Sequence, residues 1–147
     1  SDLNSYAREI ISQNMIPDEK KAEFRNNTYT KQNNYSGVTD FKRLLNYFLD
    51  YDYRDEIIAR IAKRFSLRFD INGFYLSIPQ IKEMENNGMI IGSHTASHLV
   101  MSKLNFNEQK IEIQSSFEFL DSICRLKHKT YCHPFGGFHS FDKQTLS

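Results

Sequence analysis

An α/β fold with a helix-rich N-terminal segment is what the order of local signals predicts. Two observations carry it. A capped helix from Ser77 runs into the short apolar stretch Met89-Ile90-Ile91-Gly92, and a second from Asn105 runs into Thr130-Tyr131-Cys132-His133 before Pro134. Four residues are too few for a helix and suit a short buried strand. Helix, strand, helix, strand in that order is the signature of parallel strands joined by crossover helices, not of a bundle.

The elements are justified in chain order. Leu3, Tyr6, Ile10 and Met15 form a weak apolar stripe that Pro17 stops. Arg25 to Gly37 holds two Asn-Asn pairs among Thr, Lys, Gln and Ser, so it reads as a linker or mobile loop. Phe41, Leu44, Leu45, Phe48 and Leu49 then recur at helical spacing behind Thr39 or Asp40 as N-cap, and Ile57, Ile58, Ile61, Ala62 and Phe65 repeat the pattern. That pair predicts a helical hairpin whose stripes are core. Ser77 with Gln80 makes a capping box with Pro79 in the first turn, Ile81 and Met84 face inward, and Gly88 stops the helix. Asn105 with Glu108 caps the next one, whose buried stripe is Ile113, Phe117, Leu120 and Cys124. Cys124 is therefore read as packing. Phe141 to Leu146 reads as the first turns of a further helix.

Composition narrows the function classes. The chain has 147 residues, with 19 Lys and Arg against 18 Asp and Glu, so no global field exists to hold a phosphate backbone, and nucleic acid is not an expected partner. No apolar run approaches the ~20 residues of a bilayer span. Twelve Phe and eight Tyr exclude a chain disordered throughout. Two cysteines are too few for a disulfide scaffold; two free thiols suit a reducing compartment, which favours the cytoplasm over the cell envelope. The chain begins with Ser1 and shows no signal-peptide pattern, and its oligomeric state is left open.

Two segments carry chemistry. In Gly92-Ser93-His94-Thr95-Ala96-Ser97-His98 two imidazoles stand four residues apart just past a strand, where one helical turn would bring both rings to a single zinc or similar ion. Two unrelated surface histidines are the competing reading. A metalloprotease helix is disfavoured, because Thr95 stands where that motif needs its glutamate. In Tyr131-Cys132-His133-Pro134-Phe135-Gly136-Gly137-Phe138 a strand runs into proline and two glycines, a turn whose backbone N–H groups could hold an oxyanion or merely reverse the chain. His128 and His139 read as ordinary surface residues.

Together and in this order, Phe74 to Ser77, Ile81 to Met84, Asn87 to His94, Ser97-His98, Leu104, the Glu108 to Leu120 helix and Pro134-Phe135-Gly136-Gly137 resemble the polysaccharide deacetylase family, also called the NodB-homology or carbohydrate esterase family 4 domain. The resemblance implies that residues 71–147 are part of such a domain, a distorted (β/α) barrel of the NodB type, and that residues 1–70 are a helical insertion of the kind some relatives carry. It implies a hydrolase that removes acetyl groups from N- or O-acetylated sugars or polysaccharides, here a surface glycan, with a divalent metal, usually zinc. On the matching positions His94 and His98 are metal ligands, Phe135 offers its backbone N–H to the oxyanion, and His133 and Pro134 line the substrate side.

The departures are equally specific. The family's first motif, a Thr-Phe-Asp-Asp-Gly-like strand end that carries the catalytic base and a third ligand, is not in this sequence, nor is the arginine that often opens the third motif, nor any Trp. The chain is accordingly expected to be an incomplete piece, inactive alone, or a degenerate homologue. Asp70 and Asp142 are the carboxylates to consider as substitutes, though both read as surface residues. The rival function is a non-catalytic carbohydrate-binding or interaction module in which Tyr and Phe stack on sugars and the histidines are incidental.

Overall fold

The computed structural model describes residues 3–18, 21–35, 37–68 and 70–147. Ser1 and Asp2 at the N-terminus, and Ser36 inside the Arg25 to Gly37 stretch, lie outside them. Contacts divide the chain into two units, Ser1–Phe69 and Asp70–Ser147.

In the first unit are helices α1 (Leu3–Ile10), α2 (Lys21–Asn27), α3 (Val38–Arg43) and α4 (Tyr51–Arg64); α1, α3 and α4 surround one apolar core, α3 runs on into a single wide π turn over Leu44–Phe48, and α2 sets Phe24 against Tyr47 of that turn. Ala7, Leu44, Leu49, Ile57 and Ile61 are buried there, with Tyr6, Ile10, Phe41, Phe48 and Phe65 packed against them. The helical periodicity thus marks the core, except that Ile58 is left exposed. Gly37 rather than Thr39 or Asp40 precedes α3, and Asp50 caps α4 by accepting from the Asp52 N–H at 3.0 Å. The Asn-rich loop is narrower than composition suggests. Arg25 to Asn27 end α2, and Thr28 is buried, its carbonyl and hydroxyl held by the Arg43 guanidinium at 2.9 and 2.7 Å. A charge-assisted pair of bonds spanning fifteen residues outweighs the local preference of Asn and Thr for open loop.

In the second unit α5 (Ile71–Phe74), α6 (Ile78–Asn86) and α7 (Phe106–Ile123) are set by local chemistry. The Gln80 side chain reaches back to the Ser77 N–H at 2.7 Å, while Asn105 and Glu108 exchange side-chain to backbone bonds at 3.1 and 2.7 Å. Ile81 and Met84 are half-buried, as are Ile113 and Phe117, while Leu120 and Cys124 are buried. Burial pushes the Cys124 thiol up, with neighbouring Glu85 adding to it, which suits a packing role.

The α/β barrel is not what forms. Among the described residues there is no strand and no sheet; the two apolar stretches meet in a single parallel bridge, Ser93 to Tyr131. Ser93 N–H donates to Thr130 O at 2.8 Å and Cys132 N–H to Ser93 O at 2.9 Å, and the ladder goes no further. The physical reason is that two four-residue stretches without a third are below the size at which a sheet holds itself together. Met89 and Ile90, expected to be buried, are 56% and 73% exposed. The order and the parallel sense are readable in the sequence, the sheet is not. Phe141 to Leu146 is likewise a set of turns instead of a helix. No helix among the described residues is long and apolar enough to cross a membrane.

Candidate functional site

The bridge fixes the chain on either side of it. Gly92 lies so close to the other segment that a Cβ there would stand 2.3 Å from Thr130 Oγ1 and 3.0 Å from Thr130 O. Beyond it, His94 turns back over the bridge, with Nδ1 2.8 Å from the Cys132 carbonyl. A carbonyl only accepts, so Nδ1 carries the proton, and in the neutral ring Nε2 is the nitrogen left for a ligand.

His98 comes to His94 by a route the spacing does not show. No helical turn joins them; Thr95 and His98 both adopt left-handed backbone, at φ 67° and 53°. The chain coils back on itself, the His98 N–H donates to Thr95 Oγ1 at 3.1 Å, and the two ring centroids stand 4.8 Å apart. Phe135 closes the group, its ring 4.8 Å from that of His98. Phe135 and Gly136 are left-handed as well, at φ 66° and 68°. Left-handed backbone outside glycine costs of order 1–3 kcal/mol per residue and persists only where the surroundings over-determine it. Three such residues, Thr95, His98 and Phe135, are gathered at one spot.

The imidazole spacing can be set against a metal ion. With zinc held at about 2.0–2.1 Å from each nitrogen, ring centroids lie roughly 3 Å from the ion, and a 4.8 Å separation then corresponds to an angle of about 100°, near tetrahedral. That separation is of the size two imidazoles on one ion would show, but a set of three does not exist here: among the described residues no group of three or more His, Cys, Asp or Glu could hold a metal. Asp142 is not the missing donor. Its carboxylate accepts from the Gln144 and Thr145 N–H groups at 3.0 and 3.1 Å and faces Gln109 of α7. Burial raises its pKa, but those bonds outweigh that and leave it below the ordinary carboxylate value. Asp70 stands at the start of the second unit, where its backbone carbonyl accepts from the Gly73 N–H at 3.2 Å.

His133 is half-buried and Pro134 fully buried. The His133 ring is stacked on Phe141 at 4.1 Å with the edge of Tyr131 against it at 4.7 Å. His133 Nδ1 and Tyr131 Oη are buried without a hydrogen-bond partner among the described residues, and burial pushes the Tyr131 hydroxyl up to about 12. What the loop does expose is Phe138, at 93%, its ring 5.9 Å from Phe141. His128 is exposed as expected, whereas His139 is half-buried beside Gly137.

Burial also holds His133 below its ordinary value, so the unfolded chain takes up a proton that the folded one resists. Stability is fully kept above pH 6.5, the unfolded value, and falls as pH drops from there toward the folded value. His133→Phe preserves the stack on Phe141 and removes the titration. Urea unfolding of the variant is expected to show a flatter decline than the parent as pH falls below 6.5. An unchanged slope would clear His133 of this role.

One residue at the site escapes a reading of the sequence. Glu112, in the middle of α7, accepts at Oε2 from the Ser97 N–H at 2.8 Å, and its backbone carbonyl accepts from the Ala96 N–H at 3.1 Å. One turn on, Ser116 Oγ meets Ser93 Oγ at 2.8 Å. The available signal is a polar stripe, Gln109, Glu112 and Ser116, running at helical spacing beside the apolar one.

Compared with known families, residues 58–146 match the family model described as polysaccharide deacetylase. No curated protein and no solved structure matches the chain.

Proposed function

Because the chain belongs to the polysaccharide deacetylase family, we propose that it takes part in removing acetyl groups from an N- or O-acetylated sugar or polysaccharide, such as a surface glycan, at the cluster of His94, His98 and Phe135. The observation that carries this is the His94 and His98 ring pair at 4.8 Å, with the His94 tautomer set by the Cys132 carbonyl. A divalent metal held there, zinc by the preference of imidazole donors, would polarise the acetyl carbonyl and lower the pKa of a water.

The chain's own residues do the rest of what can be assigned. His94 and His98 present two imidazole rings, and the Cys132 carbonyl orients the first through its Nδ1, a device common at metal sites. The Phe135 turn brings a ring against His98. Its backbone N–H is the oxyanion donor by family pattern. Phe138, rather than the buried Pro134, presents an aromatic face on which a sugar ring can stack. That exposed ring is also what favours the second reading, a carbohydrate-binding module without catalysis.

No carboxylate is gathered with the two imidazoles into a metal-holding group among the described residues. Loss of a general base costs ~10²–10⁴ in rate. The chain is therefore expected to bind an N-acetylglucosamine oligomer while releasing acetate from it scarcely above background. The check is nuclear magnetic resonance titration with that oligomer, with and without zinc, alongside an acetate assay. Resonances of His94, His98, Phe135 and Phe138 should move, those of the histidines more in the presence of zinc. Binding that ignores zinc and spares both histidines would select the module instead, and movement confined to the first unit would remove both readings.

A further inference from the structure

The turn that pairs the histidines is held from outside. Two of its residues, Thr95 and His98, are left-handed without being glycine, and the bonds within the turn include the His98 N–H to Thr95 Oγ1 and a long one, 3.4 Å, from the Thr95 N–H to Ser93 Oγ. Stronger bonds reach it from α7, through one residue at two points and a second one turn further on. Glu112 takes the Ala96 N–H on its backbone carbonyl and the Ser97 N–H on its carboxylate, and Ser116 anchors Ser93 at the entry. Ser97 is the residue directly before His98, so the bond at 2.8 Å fixes the Ala96–Ser97 peptide one residue ahead of His98. A rigid eighteen-residue helix, capped at its start by the reciprocal Asn105 and Glu108 bonds, provides the fixed frame.

We infer that Glu112 is a positioning residue for the metal pair: by accepting the Ser97 N–H it holds His98 in the left-handed conformation that brings its ring to His94, and so sets the affinity of the site for a divalent cation. It touches neither substrate nor metal. The inference rests on the metal reading proposed for His94 and His98 and adds a residue that the motif itself does not contain. The need is for an acceptor at one distance from the α7 backbone, not for a charge. Glutamine keeps that acceptor and its reach, aspartate keeps the charge and loses a methylene of reach, and alanine loses both.

Zinc titration by calorimetry, with amide hydrogen exchange read at Ser97 in the absence of metal, separates these. Relative to the parent, Glu112→Gln is expected to bind zinc within a few-fold, whereas Glu112→Asp and Glu112→Ala bind about 10- to 100-fold more weakly, the usual penalty for losing an outer partner of a ligand. The Ser97 amide should exchange slowly in the parent and in Glu112→Gln and fast in the other two. Should Glu112→Ala not fold, the contrast between glutamine and aspartate carries the test alone. Aspartate matching the parent while glutamine fails would show a charge effect and overturn the inference, as would equal zinc affinity in all four proteins. If the parent takes up no more zinc than a chain carrying both His94→Ala and His98→Ala, the metal reading falls and this inference with it. Weak zinc binding by Glu112→Asp beside a parent that binds leaves the reading and the inference both standing.

Discussion

Replacing Gly92 by alanine is expected to cost about 1–3 kcal/mol of stability, the range for forcing an extra methyl into a packed contact, and to weaken zinc binding with it. The reason is local and steric. The added Cβ would stand 2.3 Å from Thr130 Oγ1, closer than real Cβ atoms come, and 3.0 Å from Thr130 O, tighter than most Cβ contacts. The threonine hydroxyl can swing away, but the carbonyl is the acceptor of the Ser93 N–H and cannot leave without breaking the bridge. Once the two segments separate, Cys132 O withdraws from His94 Nδ1, and the tautomer and aim of that ring are no longer fixed. A second substitution distinguishes this account from a general effect of alanine. Combined with Thr130→Ala, which removes the hydroxyl and leaves the carbonyl, Gly92→Ala should recover part of the loss. Urea unfolding and zinc calorimetry on the three variants give the answer, and a Gly92→Ala chain as stable as its parent would dispose of the close-approach argument.

Gly136 makes a different case at the other end of the site. It is left-handed at φ 68° with nothing within 4 Å of where a Cβ would be, so its requirement is one of backbone conformation and not of space. The two glycines of the matched motifs thus answer to separate physical demands, which sequence alone presents as the same letter.

What can be read from the sequence depends on how local each determinant is. The capping pairs at Ser77 and Asn105 are complete within four residues, and the helices they begin stand where expected. The apolar stripes around Leu44, Ile57 and Ile61 mark the core of the first unit for the same reason. The strands fail because a ladder needs neighbours that no four-residue pattern contains, and the Met89 and Ile90 side chains are left largely exposed. His94 and His98 do meet, yet their spacing misleads about the means: a coil through left-handed Thr95 and His98 replaces the helical turn. Thr28 with Arg43 and Ser97 with Glu112 are each joined across fifteen residues by bonds between polar groups, and composition assigns such groups to solvent.

Alanine at His94 or His98 is expected to have the largest effect of any single substitution on metal binding. Four-ligand structural zinc sites are worth ~10–16 kcal/mol near neutral pH, so one ligand carries roughly 2.5–4 kcal/mol, a change of about 10²–10³-fold in affinity. With two imidazoles and no third protein donor among the described residues, the parent site is already a weak one. Losing either ring should therefore take zinc uptake below what calorimetry detects at working concentrations. The two positions are not equivalent in their wider consequences. His94 is tied to the Cys132 carbonyl, so His94→Ala also loosens the bridge between the two segments, and a small fall in unfolding temperature should accompany the loss of metal. His98 occupies a left-handed position, so His98→Gly would lose the metal as completely while relieving backbone strain, and the metal-free chain should be no less stable than the parent. A double alanine variant that took up zinc as the parent does would remove both histidines from the site, and a His98→Gly chain markedly less stable than His94→Ala would show that the His98 ring is held for packing against Phe135 and not for a ligand.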